Sequence, residues 1–330
     1  MFQNPFKGII RPRKKMLSTL TSLFCFTLAA TAQQALVWQD VSAQYGPLPP
    51  SVQVFKTTSL VDGKPNVAYY VKAALKDKNL QFTTDTSQNR RLTPQQFYNK
   101  NGQPLVVVNS TFFSFNTNQN LNVVMKDGKT IAYNQERTFY RDKDSTKKLK
   151  VYNSAIGISK KRKADVAWVE TDSSKSIAYA TQGPIYTGNF FIKNGKGNQV
   201  IETDNFKKWK VETAVGGGPV LVQGGDIKIT NEEERKFYGK AIGDKHPRTA
   251  MGYTADGHLI ILVVEGRNKG VAEGVTLTQE AQILKDLGCV EALNLDGGGS
   301  SCLLVNGKET IAPSDKVQRA VPAVFMIQQK

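Results

Sequence analysis

The stretch that organises this chain reads Asn294-Leu295-Asp296-Gly297-Gly298-Gly299-Ser300-Ser301-Cys302, and it follows the short apolar run Val290 to Leu295. The apolar run predicts a buried strand that delivers the Asp296 carboxylate into three glycines and two hydroxyls. Glycine lets the backbone approach a ligand closely, and successive N–H groups in such turns can bind an anion. We therefore expect a functional loop, with an ordinary Gly/Asp-rich hairpin loop as the alternative.

A second glycine run, Gly216-Gly217-Gly218, lies inside the apolar segment 214–222. Glycine inside a strand indicates a bulge or the close approach of a ligand or another backbone. Two such runs predict two walls of one pocket.

Polar side chains also follow two other apolar runs. Leu105 to Val108 leads into Asn109 and, four residues on, Phe113, which predicts either a sugar-contacting rim or a core phenylalanine. Leu259 to Val264 leads into Glu265-Gly266-Arg267. Arg248 and Arg267 suit a phosphate group; a structural ion pair between Glu265 and one arginine is the alternative.

The first 32 residues have the pattern of a secretory signal peptide. A basic segment ending at Lys15 precedes the apolar region Leu17 to Leu28, and Ala30-Thr31-Ala32 is a cleavage motif. The apolar region is short for a membrane anchor, which is the alternative. We expect export to the periplasm or outside the cell, no stable membrane span after cleavage, and a domain over residues 33–330.

The chain has 330 residues, of which 40% are hydrophobic and 22% charged, as in a soluble globular protein, with a net charge of +16. Removing residues 1–32 takes away five basic and no acidic residues, which leaves +11. A basic surface favours anionic substrates. No aromatic platform accompanies the basic clusters, so we expect no nucleic-acid partner.

Export would leave two cysteines, Cys289 and Cys302, on either side of the glycine loop. An oxidising compartment permits a disulfide between them, and two buried thiols are the alternative.

Most of the remaining pattern predicts strands and few helices. Thr93-Pro94 begins a short helix, and Thr276 caps a second one that Gly288 ends. The charged segment 231–245 is interpreted as a flap.

An ordered set of motifs resembles the phosphodiester glycosidase family over about residues 105–327. The motifs are Val108-Asn109 with Phe113, Gly216-Gly217-Gly218-Pro219, His246-Pro247-Arg248-Thr249-Ala250, Glu265-Gly266-Arg267, the glycine loop from Asn294 to Ser300, and Arg319-Ala320-Val321-Pro322. Ser110 and Thr111 stand where the family usually has two glycines, so this departure bears on which sugar is accepted.

The resemblance implies an α+β fold with a large mixed β-sheet and few helices, in a single catalytic domain. It also implies hydrolysis of a sugar-1-phosphodiester, such as an N-acetylglucosamine-1-phospho-sugar of an envelope or host glycan, to free sugar and a phosphomonoester. Asp296 is expected to be the nucleophile or water-activating base and Glu265 its partner. The expected substrate-binding residues are Asn109, Phe113, Gly217, Gly218, Arg248, Thr249, Arg267, Gly297, Gly298, Gly299, Ser300 and Ser301.

This mechanism requires no cofactor. Two other functions fit the same residues. One is a metal-dependent phosphodiesterase, in which Asp296 and Glu265 ligate a divalent ion. The other is a non-catalytic envelope protein that binds carbohydrate or polyanion in the same cleft.

Overall fold

A computed structural model describes residues 35–140, 148–184 and 206–330 of the chain. The predicted signal peptide lies outside these residues. The first half of the strands comprises β1 Gln39–Asp40, β2 Val52–Thr57, β3 Ala68–Ala74, β4 Leu80–Thr86, β5 Val106–Asn109, β6 Val124–Lys126, β7 Lys129–Ala132, β8 Arg137–Tyr140, β9 Lys148–Val151, β10 Asn153–Ile158 and β11 Ala164–Asp172. The second half comprises β12 Ile177–Thr181, β13 Lys207–Lys208, β14 Thr213–Gly216, β15 Val220–Gln223, β16 Asp226–Ile227, β17 Arg248–Thr254, β18 His258–Val264, β19 Cys289–Asn294, β20 Leu303–Val305, β21 Lys308–Glu309 and β22 Ala323–Gln329.

The described helices are α1 Pro94–Lys100, α2 Asn231–Glu234 and α3 Leu277–Asp286, with 3₁₀ turns at Ser42–Tyr45, Gly239–Ile242 and Gly298–Ser300. Both predicted helices start where expected, because Thr93 and Thr276 each form a capping box with a glutamine three residues on. The predicted α+β class with few helices is confirmed.

The strands are divided among separate sheets, whose described pairings are antiparallel. One sheet has eight strands in the order β1-β2-β3-β18-β17-β19-β15-β16. A second has the order β13-β12-β11-β10-β14-β6-β7, a third β21-β20-β5-β22-β4, and β8 pairs with β9. The eight-stranded sheet carries Asp296 at the end of β19, and the third sheet carries Asn109 in β5.

Both faces of the eight-stranded sheet are covered, which explains its uninterrupted apolar runs. In β18, Leu259, Ile261 and Val263 face a core shared with the other two large sheets. The alternate residues Ile260 and Leu262 pack in a second cluster with α3. This arrangement makes the sheet a rigid support for the loops at its edge.

The two cysteines lie in different packing layers. Cys289 is buried in the cluster beside α3, and Cys302 is buried in the cluster beside α1. Both thiols are free. Of the two alternatives that the sequence left open, a disulfide and two buried thiols, the structure has the second, and each thiol packs in a separate hydrophobic cluster.

Glu280 is a fully buried carboxyl group on α3. Neither carboxyl oxygen has a hydrogen-bond partner among the described residues. Burial raises the pKa of Glu280 to about 8, and the positive charge of Arg248 opposes that rise. Since the folded protein holds this proton more tightly than the unfolded chain, stability falls as pH rises from the ordinary value of 4.5 towards about 8.

We expect Glu280→Gln to flatten this pH dependence. The variant should gain on the order of a few kcal/mol of unfolding free energy over the parent between about pH 5 and about pH 8. Urea unfolding of both proteins at the two pH values measures the difference. If the unfolding free energy changed equally with pH in parent and variant, Glu280 would not bind a proton in the folded state.

Candidate active site

Two sheets meet where β19 and β5 end. The Leu295 N–H donates to the Thr249 carbonyl at 2.8 Å, which extends the pairing of β17 and β19. The next residue turns away, and the Asp296 N–H donates to the Ser110 carbonyl at 2.9 Å. Asp296 is thereby fixed to the loop that follows β5 as well as to its own sheet.

Asn109 ties together the segments around Asp296. Its Nδ2 donates to the Asp296 carbonyl at 2.5 Å, and its Oδ1 accepts from Thr249 Oγ1 and the Cys302 N–H, both at 3.0 Å. Thr249 Oγ1 also lies 3.2 Å from Ser301 Oγ. These side chains are buried. In this structure Asn109, Thr249 and Ser301 therefore bond to protein and position the loop.

The first glycine run packs against Asn294, at the end of the strand that leads into the second run. The Gly218 N–H donates to the Asn294 carbonyl at 2.8 Å, and Asn294 Nδ2 donates to the Gly218 carbonyl at 2.8 Å. A Cβ on Gly217 would collide with the Asn294 carbonyl oxygen. Glycine is thus required here so that the two backbones can approach each other.

Glu234 stabilises the backbone on either side of the first glycine run. Its carboxylate accepts from the Ser154 N–H at 3.2 Å, Ser154 Oγ at 2.7 Å, the Val220 N–H at 3.0 Å and Thr230 Oγ1 at 2.7 Å. Glu234 is fully buried. The start of the segment interpreted as a flap is therefore anchored, since these bonds hold α2 against β10 and β15.

Two arginines lie against the glycine loop. A Cβ on Gly298, whose φ is +61°, would lie 2.9 Å from a terminal nitrogen of Arg267. A Cβ on Gly299 would collide with the Arg319 guanidinium and the Asp315 carboxylate. Arg319 is held by Asp315, with Nε at 3.0 Å and one terminal nitrogen at 2.5 Å from Oδ2. The loop therefore carries two cationic groups beside its glycines.

Arg319 reaches the glycine loop that follows Asp296. Arg319 donates to Ser300 Oγ at 3.4 Å. Burial raises the pKa of Asp296 to about 7, while Ser300, the charge of Arg319 and the Gly297 N–H each lower it. A carboxyl group of this kind exchanges a proton near neutral pH, as acid–base catalysis requires.

The backbone of the glycine loop has fewer free N–H groups than an open anion nest. The Gly298 N–H donates to the Pro247 carbonyl at 2.8 Å, and the N–H groups of Ser300 and Ser301 donate within the loop at 3.1 and 3.2 Å. Positive charge at this site therefore comes mainly from the side chains of Arg267 and Arg319.

Glu265 lies at the same sheet edge as Asp296. It follows β18, which is separated from β19 by β17 alone, so their backbones are about 10 Å apart at the usual strand spacing. Glu265 is buried, and its Oε2 accepts from the Ala312 N–H at 3.0 Å. No ion pair joins Glu265 to an arginine among the described residues. Glu265 thus holds the segment that leads to Arg319.

The two predicted phosphate-binding arginines differ in environment. Arg267 is exposed and has a left-handed φ of +63°. Arg248 is buried and donates to the carbonyls of Val275 at 3.1 Å and Asp244 at 3.3 Å. Burial lowers the pKa of the Arg248 guanidinium, and Glu280 opposes this. Arg267 is the better placed of the two to reach a ligand.

Phe113 packs in the core, whereas Phe115 is exposed and Phe112 lines a cavity. Phe113 belongs to the cluster beside α1 and is 8% exposed. Phe115 is 59% exposed, and the Arg319 guanidinium lies 5.4 Å from the centre of its ring. Phe112 lines a cavity of about 230 Å³ with Arg137, Lys236 and Phe237 among others.

Arg319 is a site residue that the sequence did not predict, although it belongs to the motif Arg319-Ala320-Val321-Pro322. Arg319 lies in a loop with no strand or helix pattern, so nothing local indicated where its side chain would reach. The collision that any Cβ on Gly299 would cause is the signal that only the structure supplies.

We expect Gly299→Ala to lower turnover by displacing Arg319 and Asp315 from the loop. Gly243→Ala is the matched control, because a Cβ there meets nothing within 4 Å. Steady-state rates of the two variants on the same substrate make the comparison. Equal activity of both variants would show that the contact between Gly299 and Arg319 is dispensable.

The described residues contain no group of three or more His, Cys, Asp or Glu side chains arranged to hold a metal ion. Within the same ranges, no helix combines the length and hydrophobicity needed to cross a membrane.

Asp296, the glycine loop and the adjacent arginines form one cluster, in which a carboxyl group lies beside cationic groups that can bind an anion. The sequence model of the phosphodiester glycosidase family matches residues 175–328. The resemblance to this family that the motifs predict is thereby confirmed.

Relatives of known sequence match shorter stretches. The N-acetylglucosamine-1-phosphodiester alpha-N-acetylglucosaminidase of Mus musculus is 33% identical over 92 residues, which are 28% of this chain and 17% of that protein. The enzyme of the same name from Homo sapiens is 28% identical over 128 residues, 36% of this chain and 24% of that protein. The chain therefore spans less than a quarter of the length of each.

Solved structures extend the similarity of fold. The catalytic domain of the zebrafish enzyme of that name superposes with a TM-score of 0.60 at 20% identity, covering 90% of this chain and 89% of that domain. A hypothetical protein from Synechocystis superposes with a TM-score of 0.58 at 16% identity, covering 86% of this chain and 64% of that one. At these identities the likeness concerns the fold.

Proposed function

We propose that this protein hydrolyses a sugar-1-phosphodiester to free sugar and a phosphomonoester. The observation that carries the proposal is Asp296, a carboxyl group whose pKa is raised to about 7 and which precedes a glycine loop flanked by Arg267 and Arg319. The names of the mouse and human relatives, which state a phosphodiester substrate, support it.

The leaving group of this reaction suits the charges at the site. A phosphomonoester is a stable anion near neutral pH, so its departure needs charge stabilisation more than a strong acid. Arg267 and Arg319 supply two guanidinium groups beside the glycine loop, and guanidinium binds phosphate oxygens in a bidentate manner. The Arg319 guanidinium forms an ion pair with Asp315, which orients it towards the glycine loop.

Asp296 acts as the water-activating base or as the nucleophile at the sugar's anomeric carbon. Either role uses the ionised form, which a pKa of about 7 makes available in roughly half of the molecules at neutral pH. Glu265 is proposed as the partner carboxylate, which stabilises the oxocarbenium-like transition state or transfers a proton. Its bond to the Ala312 N–H would orient it for that role.

The proposed substrate class is an N-acetylglucosamine-1-phospho-sugar or a related glycan, in keeping with the names of the relatives. The proposed mechanism uses protein side chains alone and needs no metal ion. The signal-peptide pattern of residues 1–32 supports export to the periplasm or outside the cell.

The test is the release of free N-acetylglucosamine from an N-acetylglucosamine-1-phospho-sugar by the purified protein, with and without a chelator. We expect turnover that the chelator leaves unchanged. Loss of activity in chelator, restored by a divalent ion, would favour the metal-dependent phosphodiesterase. Binding of the substrate without turnover would favour the carbohydrate-binding protein.

A further inference from the structure

A groove of about 450 Å³ lies beside the candidate active site and differs from the other cavities in its lining. Its walls are formed by Thr86, Gln88, Asn89, Asn118, Gln119, Asn120, Ile131, Ala132, Tyr133, Asn134 and Gln135. We call this surface the amide groove, because seven of these eleven residues are asparagine or glutamine.

The lining contains no Lys, Arg, His, Asp or Glu. In contrast, Arg137 and Lys236 line the cavity of about 230 Å³, and Lys160, Arg162, Asp127 and Glu212 are among the residues that line a third cavity of about 340 Å³. In a chain with 22% charged residues, a charge-free lining of this size selects against phosphate and other ions, which need ionic partners.

Several of the amide side chains are free to meet a ligand. Gln119 and Gln135 are exposed and make no side-chain hydrogen bond to another described residue. Asn134 has a different role, since it accepts from the Val123 N–H at 2.8 Å and donates to the Val169 carbonyl at 2.8 Å. The amide groove therefore contains one amide that is hydrogen-bonded within the protein, Asn134, and exposed amides that can bond to a ligand.

An amide offers both donors and acceptors, which match the hydroxyl groups of an uncharged sugar. Ile131 is 39% exposed, and Tyr133 also belongs to the lining. Such apolar surface suits the C–H face of a sugar ring. The chemistry of the lining therefore fits a neutral polyhydroxylated ligand.

The groove is joined to the candidate active site through two adjacent residues. The Ser110 carbonyl accepts from the Asp296 N–H at 2.9 Å, and Thr111 Oγ1 donates to Asn120 Oδ1. Asn120 also pairs with Phe113 through a β-bridge. Thr111 is one of the two residues that replace family glycines, so the hydroxyl that fixes Asn120 is specific to this version of the motif.

We propose that the amide groove binds a neutral saccharide chain, which is the part of the substrate that extends beyond the hydrolysed bond. The second half of this statement rests on the proposed function. Saccharide binding itself does not, so the two can be tested separately.

The binding test uses the Asp296→Asn protein and two neutral probes, tri-N-acetylchitotriose and maltotriose, at millimolar concentration. Saturation-transfer NMR and calorimetry detect the contact. We expect at least one probe to bind, and Gln119→Ala/Gln135→Ala in the same background to weaken it about tenfold or more, as loss of two hydrogen bonds at about 1 kcal/mol each implies. Gln329→Ala, an exposed glutamine on β22, is the matched control and should bind like the parent.

Failure of both probes to bind, or equal binding by the double variant and the parent, would overturn the proposal. A second measurement uses the active chain. The double variant should lose kcat/KM on a substrate carrying a trisaccharide beyond the phosphate and keep the parent's value on the unextended substrate. An equal loss on both substrates would mean that the groove serves the reaction centre rather than an extension of the substrate.

Discussion

Asp296→Asn is expected to lower turnover of a sugar-1-phosphodiester by about 10²–10⁴-fold, the range that loss of an acid–base group produces. Asparagine retains the shape of the side chain but cannot take up a proton or attack the anomeric carbon. Steady-state kinetics of variant and parent on the same substrate provide the measurement. Asp226→Asn is the matched control, because the side chain of Asp226 is 84% exposed and lies on the edge strand β16, level with Glu291 near the start of β19.

The same variant should not lose stability above neutral pH. The folded protein holds the Asp296 proton more tightly than the unfolded chain, since the pKa is raised from 3.8 to about 7. The ionised carboxylate therefore reduces the stability of the fold as pH rises through that interval. A variant that is inactive and also less stable at about pH 8 would indicate a structural role, contrary to this account.

Arg319→Gln is expected to lower kcat/KM and to move its pH dependence. The charge of Arg319 lowers the pKa of Asp296, against the larger effect of burial. Removing that charge raises the pKa further, so the rise of kcat/KM with pH, expected near about 7 in the parent, shifts to higher pH. The loss should be on the order of 10²-fold, as for removal of one group that stabilises developing charge.

Arg90→Gln is the control, since the Arg90 side chain is exposed and donates to the nearby Ser87 carbonyl at 3.3 Å. The pH–rate profiles of the three proteins make the comparison. If Arg319→Gln lowered the rate but left the pH profile unchanged, the charge of Arg319 would have no effect on the pKa of Asp296. If Arg319→Gln changed neither the rate nor its pH profile, Arg319 would lie outside the active site.

The parts of this structure that the sequence predicts are those that depend on neighbours along the chain. The capping boxes at Thr93 and Thr276 need only four consecutive residues. The continuous apolar run of β18 follows from cover on both faces of the sheet. The close approach of another backbone to Gly217 could be predicted, because glycine within a strand signals such an approach.

What the sequence did not predict depends on contacts between distant segments. Asn109 resembles a ligand-binding residue at a strand end, yet its amide is occupied by Asp296, Thr249 and Cys302. Glu234 lies in the charged segment that was interpreted as a flap. In the structure its carboxylate is buried and accepts four hydrogen bonds. Neither outcome has a local signature, because each partner comes from a different part of the chain.

The central claim is that water attacks the sugar and that the bond broken is the one between the anomeric carbon and oxygen. Hydrolysis of an N-acetylglucosamine-1-phospho-sugar in water enriched in heavy oxygen tests this directly, with the products read at once by mass spectrometry and phosphorus NMR. We predict that the heavy oxygen appears in the free N-acetylglucosamine and that the phosphomonoester carries none. Heavy oxygen in the phosphate would contradict the account and assign the protein to the phosphodiesterases.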